Sequence, residues 1–224
     1  MSYIIAENLV KRYGNGKATV TAVADISFSI DEGEFIGVMG ESGAGKSTLL
    51  GMIGAMNAPT SGRLMVDDID VYSLGQEQRA DFRREFLGFI FQSFHLVPYL
   101  TVIENVMLPL AIVKAGKKKK RMMAEAALAQ VGLSDKADRL PGQISGGEKE
   151  RVAIARSIVN DPPVLLADEP TGNLDTQTTR EIMKLLSQLN KEGMTIIMVT
   201  HSPDCAEYAQ RVIRVSDGRL LYDN

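Results

Sequence analysis

Thirteen residues restrict the folding of this chain more than any other stretch: V-M-G-E-S-G-A-G-K-S-T-L-L at positions 38–50. They follow an apolar run at 35–39 and fit Gly-x4-Gly-Lys-Ser/Thr, with Gly40, Gly45, Lys46 and Ser47 at the four fixed places. That pattern is a phosphate cradle. Gly40, Gly43 and Gly45 let the backbone turn where side chains would clash, so the N–H groups along Glu41, Ser42, Gly43 and Ala44 point inward as an anion-binding nest. Lys46 opens a helix whose positive dipole end faces the same point, and its ammonium reaches the outer phosphates. Ser47 is left to hold Mg²⁺, with Thr48 behind it in the first turn. The motif demands a strand before it and a helix after it, and the chain supplies both.

A length of 224 residues suits one large domain or one domain with a lobe. We expect a single domain over 1–224, with a core at about 1–93 and 161–224 and a lobe at about 94–160. An apolar share of 45% and a charged share of 24% describe a soluble globular chain. The net charge of −3 argues against a general nucleic-acid binder, which is usually basic. Cys205 is the single cysteine and has no internal partner, and no charged-then-apolar leader opens the chain, so a cytosolic setting is expected. No apolar run approaches a membrane span, so any membrane role is expected to come through a partner.

Alternation predicts strands over 3–10, 19–23 and 26–30, with turns at 11–14 and 31–33, as a small antiparallel layer. Beyond the phosphate loop we expect a helix over 46–53, a strand over 63–66, a hairpin turn at Asp67-Asp68, a helix over 76–86 and a strand over 88–91 ending on Gln92. Polar residues at the C-terminal edge of a parallel strand commonly face a ligand crevice. The pattern then turns helical, with helices over 102–110, 121–131 and 148–159 forming an inserted α-helical lobe. The run Lys117 to Lys120 with Arg121 reads as a solvated loop, or as a contact for anionic headgroups or a partner. Strands at 164–167, 195–200 and 212–215 alternate with a helix over 178–191 and a short helix ending at 208. The fold class is therefore α/β, a P-loop NTPase core with a mostly parallel sheet.

The apolar strand ending in Asp168 supplies the second half of a magnesium site, opposite Ser47, and Glu169 can aim at an attacking water. Ser145-Gly146-Gly147-Glu148 reads first as a capping box, in which Ser145 caps the N–H of Glu148 and Glu148 reaches back to the N–H of Ser145. The box leaves two consecutive glycines in a first turn unexplained. Close approach to the backbone explains them, and a bare helix N-terminus makes this a second phosphate-binding surface. Tyr13 is either a strand-end aromatic or a stacking face, and spacing leaves both readings open.

Gly40 to Thr48, Gln92, Ile144 to Glu148, Asp168-Glu169 and His201 fall in an order and spacing that resemble the ATP-binding-cassette ATPases over essentially the whole chain. The resemblance implies that Lys46 binds the outer phosphates of ATP, that Ser47 and Asp168 hold Mg²⁺, and that Gln92 contacts metal and water. It implies Glu169 as general base, His201 as γ-phosphate sensor, Tyr13 as the aromatic stacked on adenine and Asp175 as the acidic residue crossing a dimer interface. His95 matches no motif. Two chains of such a family pair head to tail, so that Ser145, Gly146 and Gly147 of one close on ATP held by the other. The chain departs from the commonest signature, Leu-Ser-Gly-Gly-Gln, at Ile144 and Glu148, and the capping box is expected to turn the Glu148 carboxylate back to its own helix.

The stretches at 168–175, 88–98 and 104–109 look like the group of lipoprotein-releasing, macrolide-exporter-type and cell-division ATPases. This implies a homodimer that drives a separate integral membrane permease from the cytoplasmic face, touching the membrane only through that permease and binding no nucleic acid. Lipoprotein, lipid, peptide and drug are the cargo classes implied, with a non-transport membrane partner in cell division or cell-wall hydrolase activation as one alternative and a soluble ABC regulator without a permease as another. The apolar residues Phe94, Leu96, Val97, Tyr99 and Leu100 read either as packing the lobe onto the core or as an exposed interface, and the resemblance implies a permease-docking groove here, between the lobe and the strand that ends in Gln92.

Overall fold

Two sheets and a helical insert make up the architecture, which the computed structural model describes over residues 2–14 and 18–223. The smaller sheet is antiparallel, with strand order β2-β1-β4-β5, and contains β1 (Ser2–Tyr13), β2 (Val20–Asp31), β4 (Ser61–Val66) and β5 (Ile69–Asp70). The larger contains β3 (Phe35–Met39), β6 (Leu87–Ile90), β7 (Val164–Asp168), β8 (Thr195–Thr200), β9 (Arg211–Ser216) and β10 (Arg219–Asp223). Its order is β10-β9-β3-β8-β7-β6, parallel throughout except for β10. β8 is buried along its whole length, and β3 and β7 at all but their last residue, as continuous apolar runs require when both sheet faces are covered.

Adjacent residues of these strands feed two different cores. Leu166 and Val199 join Ile4, Leu9, Leu49 and Ile53 between the small sheet and α1 (Lys46–Ile53). Leu165 and Ile196 join Leu128, Ile154 and Leu186 on the opposite face. That face is covered by α3 (Val102–Met107), α4 (Lys117–Gln130), α5 (Gly146–Ile158) and α6 (Thr176–Lys191). The surface helix α2 (Gln76–Phe86) precedes β6, and α7 (Pro203–Ala206) follows β8.

Several boundaries differ from the sequence expectation. The two short strands expected over 19–23 and 26–30 are one strand, β2, which bends without breaking at Asp25, a non-glycine residue at φ 60°. β1 runs through Tyr13, pairing it with Val20, where a turn was expected. α3 stops at Met107 and gives way to a 3₁₀ turn over Leu108–Ile112, because Pro109 has no N–H to continue the α-helical ladder. Lys117 to Lys120 form the first turn of α4 rather than a loop.

Candidate functional site

The parallel registers assemble the site. Met39 pairs with Thr200, Asp168 with Val199 and Ile90 with Ala167, so β3, β8, β7 and β6 end at one edge of the sheet. The phosphate loop, His201, Glu169 and Gln92 leave the sheet at that edge, where a doubly wound sheet binds its ligands. A cavity of about 390 Å³ there is lined by Ser42, Gly43, Lys46, Ser47, Gln92 and Glu169, with Gly45, Thr48 and Ala22 of β2.

Within the loop, Gly43 and Gly45 lie at φ 82° and 98°. A Cβ on Gly45 would also meet the Ala22 carbonyl oxygen at 2.1 Å, so both conformation and space require glycine there. Lys46 is buried, and its Nζ donates to the carbonyl oxygens of Gly40 and Glu41 at 2.8 Å each. α1 has no side-chain cap and no acidic residue in its first turn, so its N-terminal N–H groups and positive dipole face the cavity unneutralised.

Across from the loop, Ser47 Oγ donates to Asp168 Oδ1 at 3.2 Å. Burial pushes the Asp168 carboxyl above the usual carboxylate range, against the Ser47 hydrogen bond and Lys46, which pull it down. Among the described residues no cluster of three His, Cys, Asp or Glu side chains could hold a metal alone. A hydroxyl and one carboxylate instead offer the hard oxygens that suit magnesium, which takes its other positions from water and phosphate. Glu169 sits at φ 49°, a conformation uncommon outside glycine, and its Oε1 lies 3.2 Å from His201 Nδ1. The Gln92 carbonyl accepts from Asn173 Nδ2 at 3.0 Å, tying the end of β6 to the loop after β7.

Ser145, Gly146, Gly147, Glu148 and Asp175 do not line this cavity. The Ser145 N–H donates to Glu148 Oε2 at 2.7 Å and the Glu148 N–H to Ser145 Oγ at 3.2 Å, so the capping box forms. The Ser145 N–H holds the Glu148 carboxyl below its usual range, and Lys136 Nζ stands 3.7 Å from its other oxygen. Asp175 caps α6, accepting from the N–H groups of Gln177 and Thr178 at 3.0 Å and from the Thr178 hydroxyl at 2.6 Å. Tyr13 is 44% exposed, beside Lys11 Nζ at 5.0 Å, on the strand pair that supplies Ala22.

Sequence reasoning missed three supporting residues. Thr178 packs so close to Gly147 that a Cβ there would lie 2.4 Å from its Cγ2, so one glycine of the pair is required within the chain's own fold. Asn105, fully buried, accepts from the Val97 N–H and donates to the carbonyls of Val97, Leu100 and Thr101. Arg156 donates to the carbonyls of Phe94 and His95 just beyond Gln92. One signal was available, since Arg156 stands eleven residues after Ser145, within about 20° of the same helix face.

The family model described as "ABC transporter" matches residues 23–172, which include the phosphate loop, Gln92, the Ser145 turn and Asp168-Glu169. The chain belongs to the ABC transporter family. It is 47% identical to an uncharacterized ABC transporter ATP-binding protein, YvrO of Bacillus subtilis (strain 168), over 96% of this chain and 94% of that one. It is 42% identical to the macrolide export ATP-binding/permease protein MacB of Syntrophobacter fumaroxidans, covering 97% of this chain and only 31% of that longer one. Among solved structures, the dimeric MJ0796, a bacterial ABC transporter cassette, superposes with a TM-score of 0.90 at 40% identity, over 99% of this chain and 97% of that one. A dimeric post-hydrolysis state of MJ0796 bound to ADP and Pi gives a TM-score of 0.89 at 38% identity, with the same coverage. This ABC chain is thus an ATP-binding ATPase subunit, and none of its described helices is long and apolar enough to cross a membrane.

Proposed function

We propose that this ABC ATPase works as a head-to-tail homodimer whose ATP-driven closure moves a separate membrane permease from the cytoplasmic face. The observation that carries the proposal is the meeting at one sheet edge of Ser47 with Asp168 at 3.2 Å and Glu169 with His201 at 3.2 Å, beside the buried Lys46. Ser47 and Asp168 would hold Mg²⁺ together with Gln92, and the ion would neutralise charge developing between the outer phosphates. Lys46 exchanges its two loop carbonyls for phosphate oxygens, a charge-assisted contact. Glu169 accepts the proton of the attacking water. His201, 64% exposed at its side chain, donates toward the phosphate that departs. Tyr13 stacks on adenine.

Ser145, Gly146 and Gly147 lie outside the cavity, which favours their acting on nucleotide held by a second copy, with Asp175 near the junction. The dimeric state of the MJ0796 cassette supports this arrangement. Glu148 stays with its own helix through the box. Relatives named for macrolide export support an exported cargo of the drug class among those expected, and their fused permease supports a permease partner.

The permease seat is a second cavity, of about 510 Å³, between α5 and β6 and lined by Met56, Phe89, Phe91, His95, Pro109 and Ile112 among others. This moves the seat from where sequence put it. Leu96 packs against the core, and Val97 and Leu100 give their carbonyls to Asn105; Tyr99 alone of that group stands well out, at 79% exposure. A short helix in an apolar groove is a familiar docking mode. Phe91 lines the groove and Gln92 the nucleotide cavity, so two neighbouring residues connect them.

Glu169→Gln keeps the shape and removes the base, so it should bind ATP, lose most hydrolysis and accumulate dimers by size. Wild-type turnover in that variant would remove Glu169 from the role. Lys46→Ala mixed with Ser145→Arg tests the trans arrangement, because only a mixed dimer can assemble one intact site. Met56→Arg should abolish permease co-purification in detergent while basal ATPase persists, and Tyr99→Arg, outside the groove, should leave co-purification intact.

A further inference from the structure

Six of the 25 Lys and Arg residues stand at positions 114–121, in a chain whose net charge is −3. Lys117, Lys118 and Lys119 are exposed, and none forms an ion pair among the described residues. Their neighbours are engaged, since Lys120 Nζ donates to the Ala111 carbonyl at 3.1 Å and Arg121 pairs with Glu125 at 2.8 Å. Glu104 feels Lys117 only through space.

The local energetics run against leaving the turn so. Four lysines in a first helical turn oppose the helix dipole, and this turn has neither an acidic residue nor a side-chain cap at Gly116. A surface that supplies negative charge relieves that repulsion. Two apolar side chains flank the cations, Ile112 at 66% exposure and Met122 at 59%. Ile112 lines the groove assigned to the permease and also a neighbouring hollow with Lys114 and Met123. Lys120 reaches the Ala111 carbonyl next to Ile112, so the basic turn abuts the segment that borders this groove, the side that the docking reading turns toward the membrane.

We propose that this turn touches the membrane directly, with Lys117, Lys118 and Lys119 on the phosphates of anionic lipids and Ile112 and Met122 at the headgroup boundary. This adds a direct contact to the indirect one expected from sequence, and its orientation rests on the docking reading above. Lysines on long flexible stems, without a shaped pocket around them, suit a fluid array of phosphates better than one fixed acidic side chain. Apolar side chains beside lysines are the composition of an interfacial anchor.

Co-sedimentation of the whole chain with vesicles tests the contact without any permease present. Vesicles of phosphatidylcholine with about 30% phosphatidylglycerol should bind it at least tenfold more tightly than phosphatidylcholine alone, and the preference should vanish on raising salt from about 50 mM to about 500 mM. Lys117→Glu/Lys118→Glu/Lys119→Glu should bind both vesicles equally weakly. Its melting temperature should be unchanged or higher, since Glu suits a first turn. Equal binding of the wild type to both vesicles overturns the proposal, as does anionic binding that survives in the triple variant. If the wild type ignores anionic vesicles while the triple variant loses the permease in lipid-free detergent, the turn serves an acidic protein surface and the lipid proposal fails. Met56→Arg reads the groove alone, so failure of the docking reading shows there and leaves the vesicle result standing.

Discussion

The guanidinium of Arg156 on α5 holds the carbonyl oxygens of His95 at 2.6 Å and Phe94 at 2.8 Å, joining the helix that starts at Ser145 to the loop that follows Gln92. His95 and Arg156 also line the cavity of about 510 Å³, so this clamp ties the helix capped at Ser145 to the wall of that cavity. Arg156→Gln keeps polarity but lacks the fork, and should cost about 1.5–3 kcal/mol, the worth of charged hydrogen bonds. Chemical denaturation reads the loss, and amide exchange should quicken over residues 94–100. A variant with unchanged exchange there would show that the clamp is idle.

Glu150, on the same helix, is 1% exposed, and its Oε1 is the orphaned buried side-chain oxygen among the described residues. Burial pushes its carboxyl up to about 8, against the pull of Arg156. Between the ordinary value of 4.5 and about 8 the folded chain keeps a proton that the unfolded chain has released, so this group's contribution to stability falls as pH rises and levels off above about 8. Glu150→Gln has no proton to lose. Its stability advantage over the wild type should widen from pH 5 to pH 8, by up to about 1.4 kcal/mol per pH unit. Urea midpoints across that range that keep a constant gap would contradict a neutral buried carboxyl.

Gly147 and Thr178 are packed so that one methyl decides a substitution. Gly147→Ala places its Cβ 2.4 Å from Thr178 Cγ2, and Thr178 cannot swing freely because its hydroxyl is held by Asp175 at 2.6 Å. Overpacking of this kind costs about 1–3 kcal/mol. Thr178→Ser in the same chain removes the methyl and keeps the hydroxyl, so the double variant should recover most of the lost melting temperature. No recovery would mean that another contact enforces glycine.

Glu148→Gln should change turnover little, because Gln also completes the box and the carboxylate already faces the Ser145 N–H and Lys136. Glu148→Ala should cost about 0.5–2 kcal/mol, as loss of a cap does. A tenfold rise in ATPase rate with Gln would place the carboxylate's charge against nucleotide instead.

The phosphate loop, the acidic end of β7 and the Ser145 box were legible in the residues because each is local chemistry. A turn that needs φ above zero, a helix start that needs a cap and a buried strand that needs unbroken apolar side chains all write themselves into a few consecutive positions. The same locality misled at β2, where Asp25 reads as a break and is a bend, and at Lys117 to Lys120, where charge reads as loop and the backbone is helical.

Sequence alone determined the family, the α/β class and the residue types that can meet phosphate and metal, since these depend on spacing along the chain. Only the tertiary structure decided which residues face each other across it. Ser47 and Asp168 are 121 positions apart, and parallel strand order sets them 3.2 Å from one another. The reach of Arg156 back to His95, the packing of Thr178 on Gly147 and the engagement of Val97 and Leu100 by Asn105 likewise follow from how the helices lie against one another and against β6. That placement depends on shape matching between surfaces distant in sequence, and no short stretch of residues encodes it.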